Sequence, residues 1–197
     1  MDELAKPLPG VDAQLRLSPP GRENIIGNKS SKESAVLIVL YPNKGEIGTI
    51  FIKRTEYNGA HSGQVGLPGG MYEPTDNSLQ NTALRETCEE TGICEKKIQI
   101  IGALTSLYIP VSRIIVYPFV GYCCSKPALN PDPSEVKYII ETNLSKLLDP
   151  KNQKSKKMMV GDSEIEIPYF DINGDHIWGA TAMIVAEFLE VAGRVIN

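Results

Sequence analysis

Ala35-Val36-Leu37-Ile38-Val39-Leu40-Tyr41 is an unbroken apolar run. A strand with one wet face alternates polar and apolar residues, so a run without alternation must be covered on both faces. It is far too short to span a bilayer, and no stretch of the chain reaches the roughly 18 consecutive apolar residues that a spanning helix needs. The run therefore predicts a layered domain, a sheet with helices on both sides. Pro42-Asn43-Lys44-Gly45-Glu46 reads as a turn and Gly48-Thr49-Ile50-Phe51-Ile52-Lys53-Arg54 as the returning strand of a hairpin. A glycine-rich stretch follows over residues 59–70. Residues 78–91 predict a helix closed by Gly92. Strands are predicted at 98–104, 113–120 and 136–140, the last leading into a short helix at 144–148. Residues 151–157 read as a basic loop and 164–170 as an alternating edge strand. Ile177, Ala180, Ile184, Phe188 and Val191 form the apolar stripe of a C-terminal helix.

Ahead of this pattern, residues 1–33 are polar and broken by Leu8-Pro9-Gly10 and Ser18-Pro19-Pro20-Gly21, with a loop at 27–32. They predict an N-terminal arm before one domain at 34–197, as suits a chain of 197 residues. With 20 basic against 24 acidic residues, bulk charge does not favour nucleic acid. The opening residues lack a basic start followed by an apolar core, so no secretory signal is expected. Cys88, Cys94, Cys123 and Cys124 contain no C-x-x-C pair, and His61 and His176 complete no zinc set. Reduced thiols in a cytoplasmic protein are the expectation. Asp171-x-Asn173-x-Asp175 opens like a calcium loop, but His176 replaces the needed glycine, so a surface turn is expected.

The chemistry concentrates around the predicted helix. At about 100° per residue, Glu86, Glu89 and Glu90 fall within roughly 100° of arc, while Leu79, Ala83, Leu84, Thr87 and Cys88 face the sheet. Like charges at such spacing cost roughly a few tenths of a kcal/mol per pair, and they stand at the unfavourable end of the helix dipole. Alone, E-x-x-E-E is ordinarily a solvated acidic helix end. Here Gly69 and Gly70, after Pro68, let backbone approach a ligand closely, and Arg85 can pin Glu73 or Asp76 of the preceding loop against the helix. A divalent cation with hard oxygen ligands would relieve the carboxylate repulsion.

Residues 70–93 resemble the Nudix box, G-x5-E-x7-R-E-U-x-E-E-x-G-U with U apolar. The half from Arg85 to Ile93 fits, with Thr87 at a usually apolar place. The front half is one residue longer: Gly70 then supplies the glycine and Asp76 or Glu73 the acid. That spacing resembles the coenzyme A-cleaving branch, in which G-G-x-x-D-x-x-D precedes T-A-L-R-E, here Thr82-Ala83-Leu84-Arg85-Glu86. Arg54-Thr55, His61-x-Gly63-Gln64-Val65 with Pro68-Gly69-Gly70, and Trp178-Gly179-Ala180-Thr181-Ala182 are similar to further signatures of that branch, over residues 35–192. Asn58-Gly59 departs from it, standing where Leu-Arg belongs.

The resemblance implies an α/β (α+β) Nudix fold, a mixed β-sheet sandwiched between α-helices, acting on a small nucleotide. It implies hydrolysis of a nucleoside diphosphate linked to another moiety, with Mg²⁺ or Mn²⁺ as cofactor. Coenzyme A or an acyl derivative leads the substrate classes; ADP-ribose, a nucleotide sugar or a nucleoside triphosphate is the alternative, and a non-catalytic nucleotide sensor the alternative of another class. Glu86, Glu89, Glu90 and the Gly70 carbonyl would hold the metal. Glu86, Glu89 or the loop acid Glu135 would serve as general base. Arg54, Lys53, Gly69 and Tyr108 would contact substrate, with Tyr57 and Tyr72 as further stacking surfaces, and Arg85 with Glu73 or Asp76 would be structural. A homodimer follows by family analogy.

Overall fold

The computed structural model describes residues 2–22, 31–56, 62–160 and 163–196. The expectations resting on residues 27–30, Tyr57, Asn58-Gly59 and His61 lie outside the described residues. In chain order the elements are α1 (Gly10–Leu15), β1 (Lys32–Asn43), β2 (Glu46–Arg54), β3 (Val65–Gly66), β4 (Gly69–Met71) and α2 (Leu79–Thr91). They continue with β5 (Gln99–Ala103), β6 (Leu107–Ile109), β7 (Ile114–Tyr122), β8 (Val136–Asn143), α3 (Leu144–Leu148), β9 (Gln153–Val160), β10 (Ser163–Ile172), β11 (Asp175–Trp178) and α4 (Gly179–Ile196).

The apolar run behaves as its pattern requires. On one face of β1, Ala35, Leu37, Val39 and Tyr41 pack with Ala83 and Leu84 of α2 and with Ile93 beyond it. On the other, Ile38 and Leu40 join a larger core with Val185 and Phe188 of α4 and Leu147 of α3. The sheet is mixed: β7 runs parallel to β1, while β5 and β6 pair antiparallel with β7.

The predicted hairpin holds only near its turn. β1 and β2 pair over Leu40–Asn43 and Glu46–Thr49 and then diverge. The edges they release are taken by the glycine-rich segment: β4 pairs with Ser34, Ala35 and Val36 of β1, and β3 with Ile52 and Lys53 of β2. The backbone amides of Leu37 and Arg54 donate to the carbonyls of Pro68 and Gln64, at 2.9 and 3.0 Å. Buried backbone groups must find partners, so the segment is fixed at both ends. β8 covers the opposite edge of β2.

Several expectations are corrected. Residues 151–157 are not a loop: a 3₁₀ turn at Pro150–Asn152 leads into β9, where Lys154 and Lys157 pair with Asp171 and Glu164 at 2.7 and 2.8 Å. β10, read as an edge, is the centre of a second sheet in the order β11-β10-β9, because residues 173–174 turn the chain back as a hairpin. Ile177 belongs to β11 and not to the helical stripe, α4 starting at Gly179. Cys88 and Cys94 are bridged by a disulfide and are not reduced: Gly92 adopts φ 77°, which folds the chain back at the helix end. The arm contributes α1, docked on α4. There Gln14 Nε2 donates to Glu187 Oε2 at 2.8 Å and to the Thr105 carbonyl at 2.9 Å, and the Thr105 hydroxyl donates to Glu187 Oε1 at 2.7 Å.

Candidate active site

The helix that carries the carboxylates is fixed before any ligand enters. Ser78 caps it by accepting from the Asn81 amide at 3.1 Å, and Gly92 closes it. Three buried threonines line its inner side. Thr87 and Thr91 satisfy their hydroxyls on the carbonyls of Ala83 and Thr87, both at 2.6 Å. The Thr82 hydroxyl donates to Asp76 Oδ2 at 2.7 Å.

Between Glu73 and Asp76, the structure gives Arg85 to Asp76, with Nε to Oδ1 at 2.7 Å and Nη2 to Oδ2 at 3.2 Å. Arg85 Nη2 also donates to the Met71 carbonyl at 3.1 Å, pinning the end of β4. These bonds hold the buried Asp76 carboxyl well below the usual carboxylate range. Glu73 stays exposed, and its backbone amide donates to Asp76 Oδ2 at 3.0 Å. Asp76 thus ties loop, turn and helix together.

The three box glutamates occupy different environments. The Glu89 side chain is 57% exposed and pairs with Arg85 at 2.9 Å. Glu86 is 15% exposed and pairs with Arg85 Nη1 at 2.8 Å. Glu90 is 1% exposed, accepting from the Gly69 amide at 2.8 Å and meeting Arg54 Nη1 at 3.4 Å. Burial pushes Glu90 up to about 7 despite these two partners, and the charges of Glu86 and Glu135 push the same way. Glu86 is raised as well, first by burial and then by Glu89 and Glu135, against the pull of Arg85.

Glu135 therefore lies within electrostatic reach of the helix acids although some 45 residues separate them along the chain. Its loop is docked on the helix end: the amides of Asn130 and Asp132 donate to the carbonyls of Thr91 and Glu90 at 2.8 and 3.4 Å, and Thr55 N donates to the Glu135 carbonyl at 2.9 Å. Asp132 shapes the turn by accepting from both the amide and hydroxyl of Ser134. Sequence reasoning missed Asn130 and Asp132; Pro131-Asp132-Pro133-Ser134 was a visible turn signal, but its docking partner was not.

Gly70 packs under Glu86, and a Cβ there would stand 2.3 Å from Glu86 Cδ. Gly69, at φ 150°, leaves no room for a side chain against the Ala35 carbonyl and Val36. Glu86, Glu89, Glu90, Glu135, Arg54, Gly69, Gly70, Arg85 and Asp76 thus come together. Lys53 does not: it lies on the opposite face of β2, with Nζ 3.8 Å from Asp175 of β11. Tyr108 sits on β6, across β7 from β1, where its carbonyl accepts from Arg22 at 2.6 Å. Tyr72 is exposed at the end of β4.

Among the described residues, no three His, Cys, Asp or Glu side chains already converge as a metal cage. The donor chemistry nevertheless fits Mg²⁺ or Mn²⁺: the donors are oxygens, they repel one another, and Mg²⁺ typically binds through one or two carboxylates while keeping waters. No helix among the described residues is long and apolar enough to cross a membrane.

A layered mixed sheet with this carboxylate helix over a double glycine defines the class, and the family comparison agrees: the NUDIX domain description matches residues 31–160. The chain belongs to the Nudix family. It is 33% identical over 161 residues to Nudix hydrolase 15, mitochondrial, of Arabidopsis thaliana, covering 78% of this chain and 56% of that protein. The chain thus spans little more than half the length of that relative. It is 30% identical over 188 residues to mitochondrial coenzyme A diphosphatase NUDT8 of Homo sapiens, covering 93% of this chain and 74% of that protein. A MutT/nudix family protein from Enterococcus faecalis shares the fold with a TM-score of 0.57 at 16% identity, over 88% of this chain and 65% of that one.

Proposed function

We propose that the chain hydrolyses the diphosphate of a nucleoside diphosphate joined to another group, with coenzyme A or acyl-coenzyme A as the leading substrate. The products would be adenosine 3′,5′-bisphosphate and the (acyl-)phosphopantetheine. The observation that carries this reading is the burial of Glu86 and Glu90 against the Gly69-Gly70 backbone and Arg54, with Glu135 within electrostatic reach of both. The relative named as a coenzyme A diphosphatase supports the choice of substrate. Asn58-Gly59 favours ADP-ribose or a nucleotide sugar as the second reading, since the Leu-Arg of the coenzyme A signature is missing.

When bound by Glu86, Glu89, Glu90 and the Gly70 carbonyl, Mg²⁺ or Mn²⁺ supplies charge neutralisation and lowers the pKa of a bound water. Arg54, beside Glu90, would orient a phosphate oxygen. Glu135 takes the proton of the attacking water in this scheme. The new P–O bond forms from that water, the bond from phosphorus to the bridging oxygen breaks, and each product keeps one phosphate of the cleaved diphosphate. Arg85 and Asp76 position the helix and touch no reacting atom. Retention of all three box glutamates argues against a sensor without catalysis, which has no use for so much mutual repulsion. A cytoplasmic location is part of the same proposal.

The test is a panel of coenzyme A, ADP-ribose and NADH with and without EDTA, repeated with Glu86→Gln and Glu89→Gln. Metal-dependent release of two phosphate-bearing products, lost in Glu86→Gln, is expected. Turnover surviving both EDTA and the substitutions would remove the site from the reaction.

A further inference from the structure

A second constellation lies beyond the end of α2. The chain leaves the disulfide at Cys94 and enters a 3₁₀ turn, Glu95–Lys97. Nearby, β7 ends at Tyr122 and is followed by two free cysteines, Cys123 and Cys124. A pocket of about 200 Å³ lies between the two segments, lined by Lys96, Lys97, Cys123, Cys124, Ser125 and Pro127. Two cations line it and no carboxylate does. Neither lysine has an ion-pair partner among the described residues.

The two thiols differ. Cys123 is 2% exposed, packed in the apolar core behind the pocket it lines and unbridged, while Cys124 is exposed. Burial pushes the Cys123 thiol up, the adjacent Cys124 adds to this, and Lys97 opposes it. Cys123 therefore stays a protonated floor, and Cys124 is the accessible nucleophile at a rim of positive charge. An exposed thiol alone reacts without preference; one that lines a pocket together with two lysines and no carboxylate selects reagents that carry negative charge.

We propose that this pocket makes Cys124 a site of thiol–disulfide exchange with anionic low-molecular-weight disulfides. The Cys124 thiolate attacks one sulfur of the reagent, whose own S–S bond breaks as the Cys124–S bond forms. The released thiolate takes up the proton that Cys124 gave to solvent. Lys96 and Lys97 hold the reagent's carboxylates or phosphates during attack. The site stands apart from the carboxylate helix and does not rest on the proposed hydrolase activity.

The test treats the protein, with Cys88–Cys94 intact, with glutathione disulfide or with the cationic disulfide cystamine, and follows labelling by intact mass and peptide mapping. The expected label is on Cys124 and is abolished by Cys124→Ser. In Lys96→Gln/Lys97→Gln the rate with glutathione disulfide, relative to cystamine, is expected to fall about fivefold, as two exposed charge contacts allow. Comparing that ratio between proteins cancels the intrinsic reactivity of the two reagents. Labelling on another cysteine, no labelling, or a ratio within about twofold of the unsubstituted protein would overturn the proposal.

Discussion

Gly69 and Gly70 are neighbours in the chain, but one methyl group should do opposite things to them. At Gly70 the added Cβ falls 2.3–2.5 Å from the carboxylate carbon and oxygens of Glu86. Those atoms are the far end of a flexible side chain, so the fold can yield while Glu86 swings away by about 1 Å or more. Misplacement on that scale costs on the order of 100-fold in rate when the group serves the reaction. At Gly69 the Cβ meets backbone, the Ala35 carbonyl at 2.3 Å and Val36 Cα at 2.6 Å, and the residue sits at φ 150°. Neither atom can move without opening β1 against β4. Overpacking and a disfavoured backbone together come to about 3 kcal/mol or more, which lowers Tm by roughly 6–12 °C in a chain of this size. Gly70→Ala should therefore melt within a few degrees of the parent and lose most of its diphosphatase turnover, while Gly69→Ala should lose stability first. Paired calorimetry and steady-state kinetics on the two proteins decide it. Full turnover in Gly70→Ala would detach Glu86 from the reacting centre, and a Gly69→Ala protein as stable as the parent would refute the packing of β4 on β1.

Two further outcomes concern the scaffold. Asp76→Asn should cost about 2–4 kcal/mol, because Arg85 loses its buried counter-charge. Since the Asp76 carboxyl is depressed in the folded protein, its contribution is present above the unfolded value near 3.9 and is lost as pH falls below it. Urea midpoints of the two proteins should therefore converge in acid, and a constant gap from pH 7 to pH 3 would contradict this. Opening the Cys88–Cys94 bridge removes a short loop constraint of six residues, worth about 2 kcal/mol in the chain-entropy account. A reducing agent should lower the melting temperature of the parent and leave Cys88→Ser/Cys94→Ser unmoved; an equal response in both would dissociate stability from the bridge.

What could be read from the chain followed the reach of each signal. Local patterns were reliable: the apolar run of β1, the helix of residues 78–91 with its Gly92 stop, and the short helix at 144–148 all rest on neighbours within a few residues. The lysine-rich residues 153–157 became strand with cross-strand acids 17 and 7 positions away pairing Lys154 and Lys157, and a polar stretch does not announce such partners. The same limit governs the site. E-x-x-E-E showed three acids on one arc, but the burial of Glu90 depends on the Gly69 amide and on Arg54, both from other elements. Lys53 and Arg54 were indistinguishable as neighbouring cations; the two-residue period of β2 sends them to opposite faces. The disulfide was missed because six positions separate its cysteines and only the left-handed Gly92 brings them together.

The divergence of β1 from β2 has a mechanical consequence. The segment that fills the gap accepts at its Pro68 and Gln64 carbonyls from an amide of one strand each, and it also presents the two glycines to the helix. Sheet integrity and ligand site are thereby the same piece of backbone. A molecule that grips those glycines would brace the seam between the strands, and a fluctuation that parts the seam would disperse the site while loosening Val65 and Leu67 from the larger core.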